Sequence, residues 1–170
     1  MRFEKISLEQ FTKDYKRLDE FEYVPHSIQQ AYDNIKLPKQ GTAKSMGMDF
    51  YAPYEFCIPH RQSITVMTGV RWKVNDIDSN VGMLIFPRSG MGFKYGVRLS
   101  NTVGVIDADY CNADNEGHIL IRMYNPSWDD IVIRCGEAFA QGVILPYIIC
   151  DGAESDSIRT GGFGSTTRKE

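Results

Sequence analysis

Leu8, Phe11, Tyr15 and Leu18 recur at steps of three and four, the spacing that lines one face of an α-helix. Ser7 stands just before them and Gln10 three residues after it, the spacing of a capping box in which hydroxyl and amide satisfy opposite backbone groups at a helix start. Pro25 cannot donate the helical hydrogen bond and ends the pattern. A second short stripe, Ile28, Ala31, Tyr32 and Ile35, follows Ser27 as a cap. Residues 7–35 are therefore predicted to be helical. Periodic apolar positions suit helices packed on the protein's own core; the competing reading is a partner-binding or regulatory element.

From Met48 the pattern changes to short β-favouring runs punctuated by Gly, Pro, Asn and Asp. The predicted strands are Phe50 to Ile58, Ile64 to Val74, Val81 to Phe86, Val97 to Asn101, Val105 to Tyr110, His118 to Tyr124, Asp130 to Arg134 and Ala138 to Ile149. Strands and helices do not alternate as a parallel sheet requires. The expectation is an all-β, antiparallel sandwich or barrel of jelly-roll type, with a helical N-terminal insertion. Residues 159–170 are glycine-rich and end basic, like a mobile C-terminal arm. At 170 residues one domain is expected.

Nineteen Lys and Arg against 22 Asp and Glu give a net charge of −3, without the basic excess that phosphate contacts to nucleic acid demand. The longest apolar run, Val143 to Cys150, contains Pro146 and falls far short of the roughly 20 residues that span a bilayer. Neither nucleic acid nor membrane is an expected partner. Cys57, Cys111, Cys135 and Cys150 form no Cys-x-x-Cys, and His26, His60 and His118 are scattered, so a metal cluster is not expected. The opening residues lack the apolar run of a secretion signal. Free thiols and a cytoplasmic location are the expectation.

Three segments carry candidate chemistry. Pro87-Arg88-Ser89-Gly90 follows an apolar strand; Ser89 is placed to cap a short helix that Gly96 would end, and helix-start N–H groups with the Arg88 fork suit phosphate. Asn101 to Tyr110 reads as two β runs joined around Gly104, exposing backbone groups that can read a flat base, with the Asn101 amide beside them. Strand alternation puts Asp107 and Asp109 on one face and Tyr110 on the other. These carboxylates suit a metal, a general base or turn backbone groups. Gly161 to Thr166 joins flexible backbone donors and hydroxyls to the Phe163 ring, but no Lys follows at the Walker spacing.

The order of the pieces is more specific than any one of them. Gly47-Met48-Asp49-Phe50-Tyr51-Ala52, Pro87-Arg88-Ser89-Gly90, Gly104-Val105-Ile106-Asp107-Ala108-Asp109-Tyr110, Gly136-Glu137-Ala138-Phe139-Ala140-Gln141 and Gly161-Gly162-Phe163-Gly164-Ser165-Thr166 together resemble the five ordered motifs of the trimeric dUTP diphosphatase (dUTPase) family, from about Ile35 to Thr167. The resemblance implies a β jelly roll assembled as a homotrimer with shared active sites. It implies hydrolysis of dUTP to dUMP and pyrophosphate, with Mg2+ held chiefly by triphosphate oxygens and water.

Carried over, Asp107 deprotonates the attacking water. Asn101 and the backbone of Gly104, Val105 and Ile106 recognise uracil, and Tyr110 packs on the deoxyribose. Arg88, Ser89, Gly90 and Gln141 hold phosphates, Phe163 stacks on the base, Gly164, Ser165 and Thr166 clasp the terminal phosphates, and Arg159 adds charge. Asp49 and Asp109 support the site from behind, Asp49 through the metal's water shell. Cys111 to Gly117 departs from the family pattern as an insertion. The alternatives are a dCTP deaminase or bifunctional relative, for which Glu116 is the candidate proton shuttle, and a nucleotide-binding regulatory protein with the N-terminal segment as its partner surface.

Overall fold

The structure, a computed structural model, describes residues 1–18, 25, 27–75, 80–152 and 161. Among these the chain forms β1 (Arg2–Lys5), α1 (Leu8–Leu18), α2 (Ile28–Asp33), β2 (Lys39–Gln40), β3 (Met48–Tyr51), β4 (Phe56–Ile58), β5 (Ser63–Met67), β6 (Val70–Lys73), β7 (Val81–Pro87), α3 (Ser89–Tyr95), β8 (Arg98–Leu99), β9 (Gly104–Ile106), β10 (Leu120–Tyr124), β11 (Ile131–Ile133) and β12 (Ala138–Pro146). All named strand pairs are antiparallel. One sheet runs β2-β3-β12-β7-β9 and another β5-β10-β8, with β11-β4 and β1-β6 as two-stranded ribbons. The fold is all-β and of the jelly-roll type.

Period-two alternation explains the strands: in β10, Ile121 and Met123 point inward while Arg122 between them faces out. Several strands are shorter than predicted. The run Ile64 to Val74 divides at Gly69, whose φ of +70° turns the chain and where a Cβ would collide with Ile35. The run Phe50 to Ile58 divides because β3 pairs with β12 while β4 crosses to pair with β11. β1 and β2 were not anticipated.

The N-terminal helices pack on the protein's own core. Ile6, Phe11, Ala31 and Ile35 belong to the same buried cluster as Phe50, Trp72 and Phe139. Ser27 caps α2 as predicted, its hydroxyl accepting from the Gln30 N–H at 3.3 Å. Ser7 accepts from the Gln10 N–H at 3.0 Å, which is half of the expected capping box. The other half is replaced: Gln10 Nε2 donates to Asp14 at 3.0 Å, and the Ser7 N–H and hydroxyl both donate to the Glu116 carboxylate. A longer-range partner with a full charge has taken the amide's place, since charge-assisted bonds at a helix start are the stronger ones.

These contacts set an acid limit on stability. Hydrogen bonds from Arg2 and Arg71 hold the Glu4 carboxyl below its ordinary range. Burial pushes Asp14 and Glu116 up, but donors from His118 and Gln10 to the first, and from Ser7 to the second, bring both below it. A carboxyl lowered in the folded state stabilises the fold above its unfolded value, about 4, and that stability is lost as pH falls through the folded value. The melting temperature is therefore expected to hold above about pH 5 and to fall below about pH 4, less steeply in Asp14→Asn. Calorimetry across pH 3–7 checks this; identical profiles would refute it.

Candidate active site

Three adjacent strands build the first cluster. Asp49 on β3 pairs with Gln141 on β12, which pairs with Phe86 on β7, one residue before Pro87. Arg88 Nε lies 3.1 Å from Asp49 Oδ1, and Gln141 Nε2 donates to the Pro87 carbonyl at 3.2 Å. Gly47 is needed beside them, because a Cβ there would lie 2.5 Å from Gln141 Oε1. Asp49 is buried, and its charge together with burial pushes the Tyr51 hydroxyl up, burial contributing more.

Arg88, Ser89 and Gly90 are exposed at the start of α3. The residue at the N-cap is Arg88 rather than Ser89, and no side chain caps this helix. The chain leaves β7 still extended at Arg88, whose side chain is turned to Asp49, and the helix begins at Ser89, one residue earlier than Ser89 as cap would require. Gly96 ends α3 in the left-handed conformation, as predicted. A cavity of about 460 Å³ is lined here by Arg88, Ser89, Gly90, Lys94 and Glu137, among others.

The second cluster is the hairpin. Its turn is tighter than the sequence suggested: Thr102 N–H donates to Leu99 O at 3.0 Å and Val103 N–H to Asn101 O at 2.8 Å. Thr102, with φ of +69°, makes the turn, while Gly104 begins β9 instead of joining the runs. The two arms then part, β8 joining β10 and β9 joining β7. Between them opens a cavity of about 470 Å³, within the range of small-molecule sites, lined by Asn101, Gly104, Ile106, Leu120, Ile121 and the α1 residues Arg17 and Leu18, among others. Gly104 packs closely on Ile85, 3.1 Å from where a Cβ would stand. Val105 points outward.

The carboxylates follow directly. β9 ends at Ile106, so strand alternation no longer governs the next residues: Asp107 and Asp109 are exposed in a turn, and Tyr110 is buried at the head of a single 3-10 turn, Tyr110–Asn112. Tyr110 N–H donates to Asp107 O at 3.1 Å, and its hydroxyl donates to His118 O at 3.0 Å. The insertion Cys111 to Gly117 is ordered around Asn115, which donates to the Tyr110 hydroxyl at 2.9 Å. Arg159, Phe163, Gly164, Ser165 and Thr166 lie outside the described residues. The two cavities share no lining residue.

Sequence reasoning missed Lys94 and Arg17 as lining residues, and a buried pair in which His118 Nδ1 meets Asp14 Oδ2 at 2.7 Å. Glu116, the candidate for deaminase chemistry, is bound to Ser7 instead, with its φ of +57° fixing it in the turn. Among the described residues no three His, Cys, Asp or Glu side chains converge on a metal position. Mg2+ sheds water reluctantly and is usually bound through one or two carboxylates plus substrate phosphates. The carboxylates of the two clusters fit an ion delivered on a polyphosphate.

A jelly roll with a phosphate-suited cluster, a base-sized hairpin cavity and an exposed carboxylate beside it defines a nucleotide-processing protein. The dUTPase family model matches residues 33–167, and the chain belongs to that family. It is 37% identical over 135 residues to the deoxyuridine 5'-triphosphate nucleotidohydrolase of Lactococcus lactis, covering 78% of this chain and 88% of that protein. The Burkholderia thailandensis enzyme of the same name is 36% identical over 138 residues, covering 78% and 89%. The crystal structure of the Streptococcus mutans dUTPase superposes with a TM-score of 0.66 at 32% identity, covering 89% of this chain and all of that one.

Proposed function

We propose that this protein hydrolyses dUTP to dUMP and pyrophosphate, keeping uracil out of DNA. The observation that carries the reading is a base-sized cavity lined by Asn101, Gly104 and Ile106 with the Asp107 carboxylate at the next residue. Asn101 and the β9 backbone read the uracil edge, and the hairpin excludes a thymine methyl. The Tyr110 ring packs on the deoxyribose and excludes a 2′-hydroxyl. Asp107 takes a proton from a water that attacks the α-phosphorus; the bond from that phosphorus to the bridging oxygen breaks, and pyrophosphate leaves with the electron pair.

Arg88, Ser89, Gly90 and Gln141 hold the phosphate chain. Asp49 holds Arg88 through Nε, leaving the Nη groups for phosphate oxygens. Phe163 closes over the base, Gly164, Ser165 and Thr166 clasp the terminal phosphates, and Arg159 adds charge. Mg2+ bound on the triphosphate would supply charge neutralisation at the leaving group, with Asp49 supporting its water shell and Asp109 supporting the site from behind.

The whole chain, 1–170, acts as one unit, and three copies form the working assembly: with the two clusters apart in one chain, the Arg88 cluster of one copy meets the hairpin of another. The cytoplasm suits its four unpaired thiols. A deaminase is disfavoured by the engagement of Glu116 with Ser7. Hydrolysis in 18O-labelled water is expected to place the label in dUMP. Label in pyrophosphate would put the attack at the β-phosphorus and overturn the role given to Asp107.

A further inference from the structure

The family model begins at residue 33, yet α1 touches the candidate site at both ends. Its last turn lends Arg17 and Leu18 to the hairpin cavity. Its first turns reach the loop behind Asp107. His118 is fully buried, and its ring is fixed from two sides: Nε2 accepts from the Gly69 N–H at 2.9 Å, so the proton sits on Nδ1, which donates to Asp14 Oδ2 at 2.7 Å. The same Asp14 oxygen accepts from Gln10 Nε2 at 3.0 Å. The His118 carbonyl in turn accepts from the Tyr110 hydroxyl at 3.0 Å and from Asn115 at 3.3 Å. A continuous buried chain thus runs from α1 through His118 to the ring of Tyr110, three residues after Asp107.

We propose that Asp14 and His118 are positioning residues that fix Tyr110 against the deoxyribose, so that α1 sets the discrimination between dUTP and UTP. The inference rests on the sugar-facing role given to Tyr110. Removing the acceptor for a buried N–H releases the imidazole, and with it the carbonyl that orients Tyr110; a steric test against one hydroxyl tolerates only about 0.5 Å of play. Outer partners of this kind act through the residue they orient rather than by touching substrate.

The measurement is the ratio of kcat/KM for dUTP to that for UTP. Asp14→Ala is expected to lower the ratio about tenfold or more, whereas Asp14→Asn, which keeps an oxygen for His118, stays within about twofold. Phe56→Leu, in the core around β4, is the control for simple destabilisation and is expected to lower the melting temperature with the ratio unchanged. If Asp14→Ala does not fold, Gln10→Ala, which removes one of the two donors to Asp14, is expected to give about a threefold fall. A ratio unchanged in Asp14→Ala, or in Gln10→Ala where that is the folded variant, while Tyr110→Ala lowers it, overturns the inference and leaves the Tyr110 reading standing. A ratio unchanged in Tyr110→Ala overturns that reading, and the inference with it.

Discussion

Asp107→Asn is expected to lower kcat for dUTP by about 10²- to 10⁴-fold, the usual worth of a positioned general base. This corresponds to roughly 3–5 kcal/mol of barrier. Asparagine keeps the shape of the side chain and a hydrogen-bonding oxygen but cannot take the proton of the attacking water. Asp107 is exposed and lies outside the lining of the hairpin cavity, so KM is expected to change by less than about threefold and the melting temperature hardly at all. A kcat within about tenfold of wild type would remove Asp107 from the proton transfer.

Arg88→Ala is expected to reduce kcat/KM for dUTP by about 100-fold, or about 2.7 kcal/mol. Two effects add. The guanidinium fork that meets phosphate oxygens is lost, and charge-assisted bonds of this kind are worth about 1.5–3 kcal/mol each. Asp49, whose side chain is 13% exposed, also loses the cation 3.1 Å away and becomes a repulsive charge behind the phosphate site. Arg88→Lys keeps the charge without the planar fork and is expected to recover only part of the loss. Steady-state kinetics on dUTP check both; a loss under about threefold in the alanine variant would place the phosphates elsewhere.

The elements with a pattern or a punctuating residue to read were legible in advance, short ones such as α3 and β11 included, and the two strands with neither were missed. α1 and α2 follow from stripes of apolar residues, and β7 and β12 from long apolar runs. β1 has one apolar residue in Arg2–Lys5, and β2 has none, so neither offers an alternation to read; each exists because a neighbouring strand supplies the pairing. The turn of the hairpin was placed at Gly104 because glycine is the usual residue at such a bend. The chain instead puts Thr102 at positive φ and uses Gly104 to pack against Ile85.

The site was legible as an ordered set of motifs, with its grouping hidden. Asp49, Arg88 and Gln141 meet only because β3, β12 and β7 are neighbours, a fact of topology and not of spacing. The tie between α1 and the loop after Asp107 was hidden for the same reason: Ser7 and Glu116 are 109 residues apart, and Asp14 and His118 are 104 apart. One local signal did exist. Gln10 and Asp14, four residues apart, flank Phe11 on the face that turns inward, and two polar residues on a buried face require a partner there.

Pyrophosphate release with Mg2+ from dUTP, dCTP, dTTP and UTP in parallel tests the central claim most directly. Rapid release from dUTP, with the other three nucleotides left essentially uncleaved, is the predicted result. No release from dUTP, or ammonia released from dCTP, would contradict it.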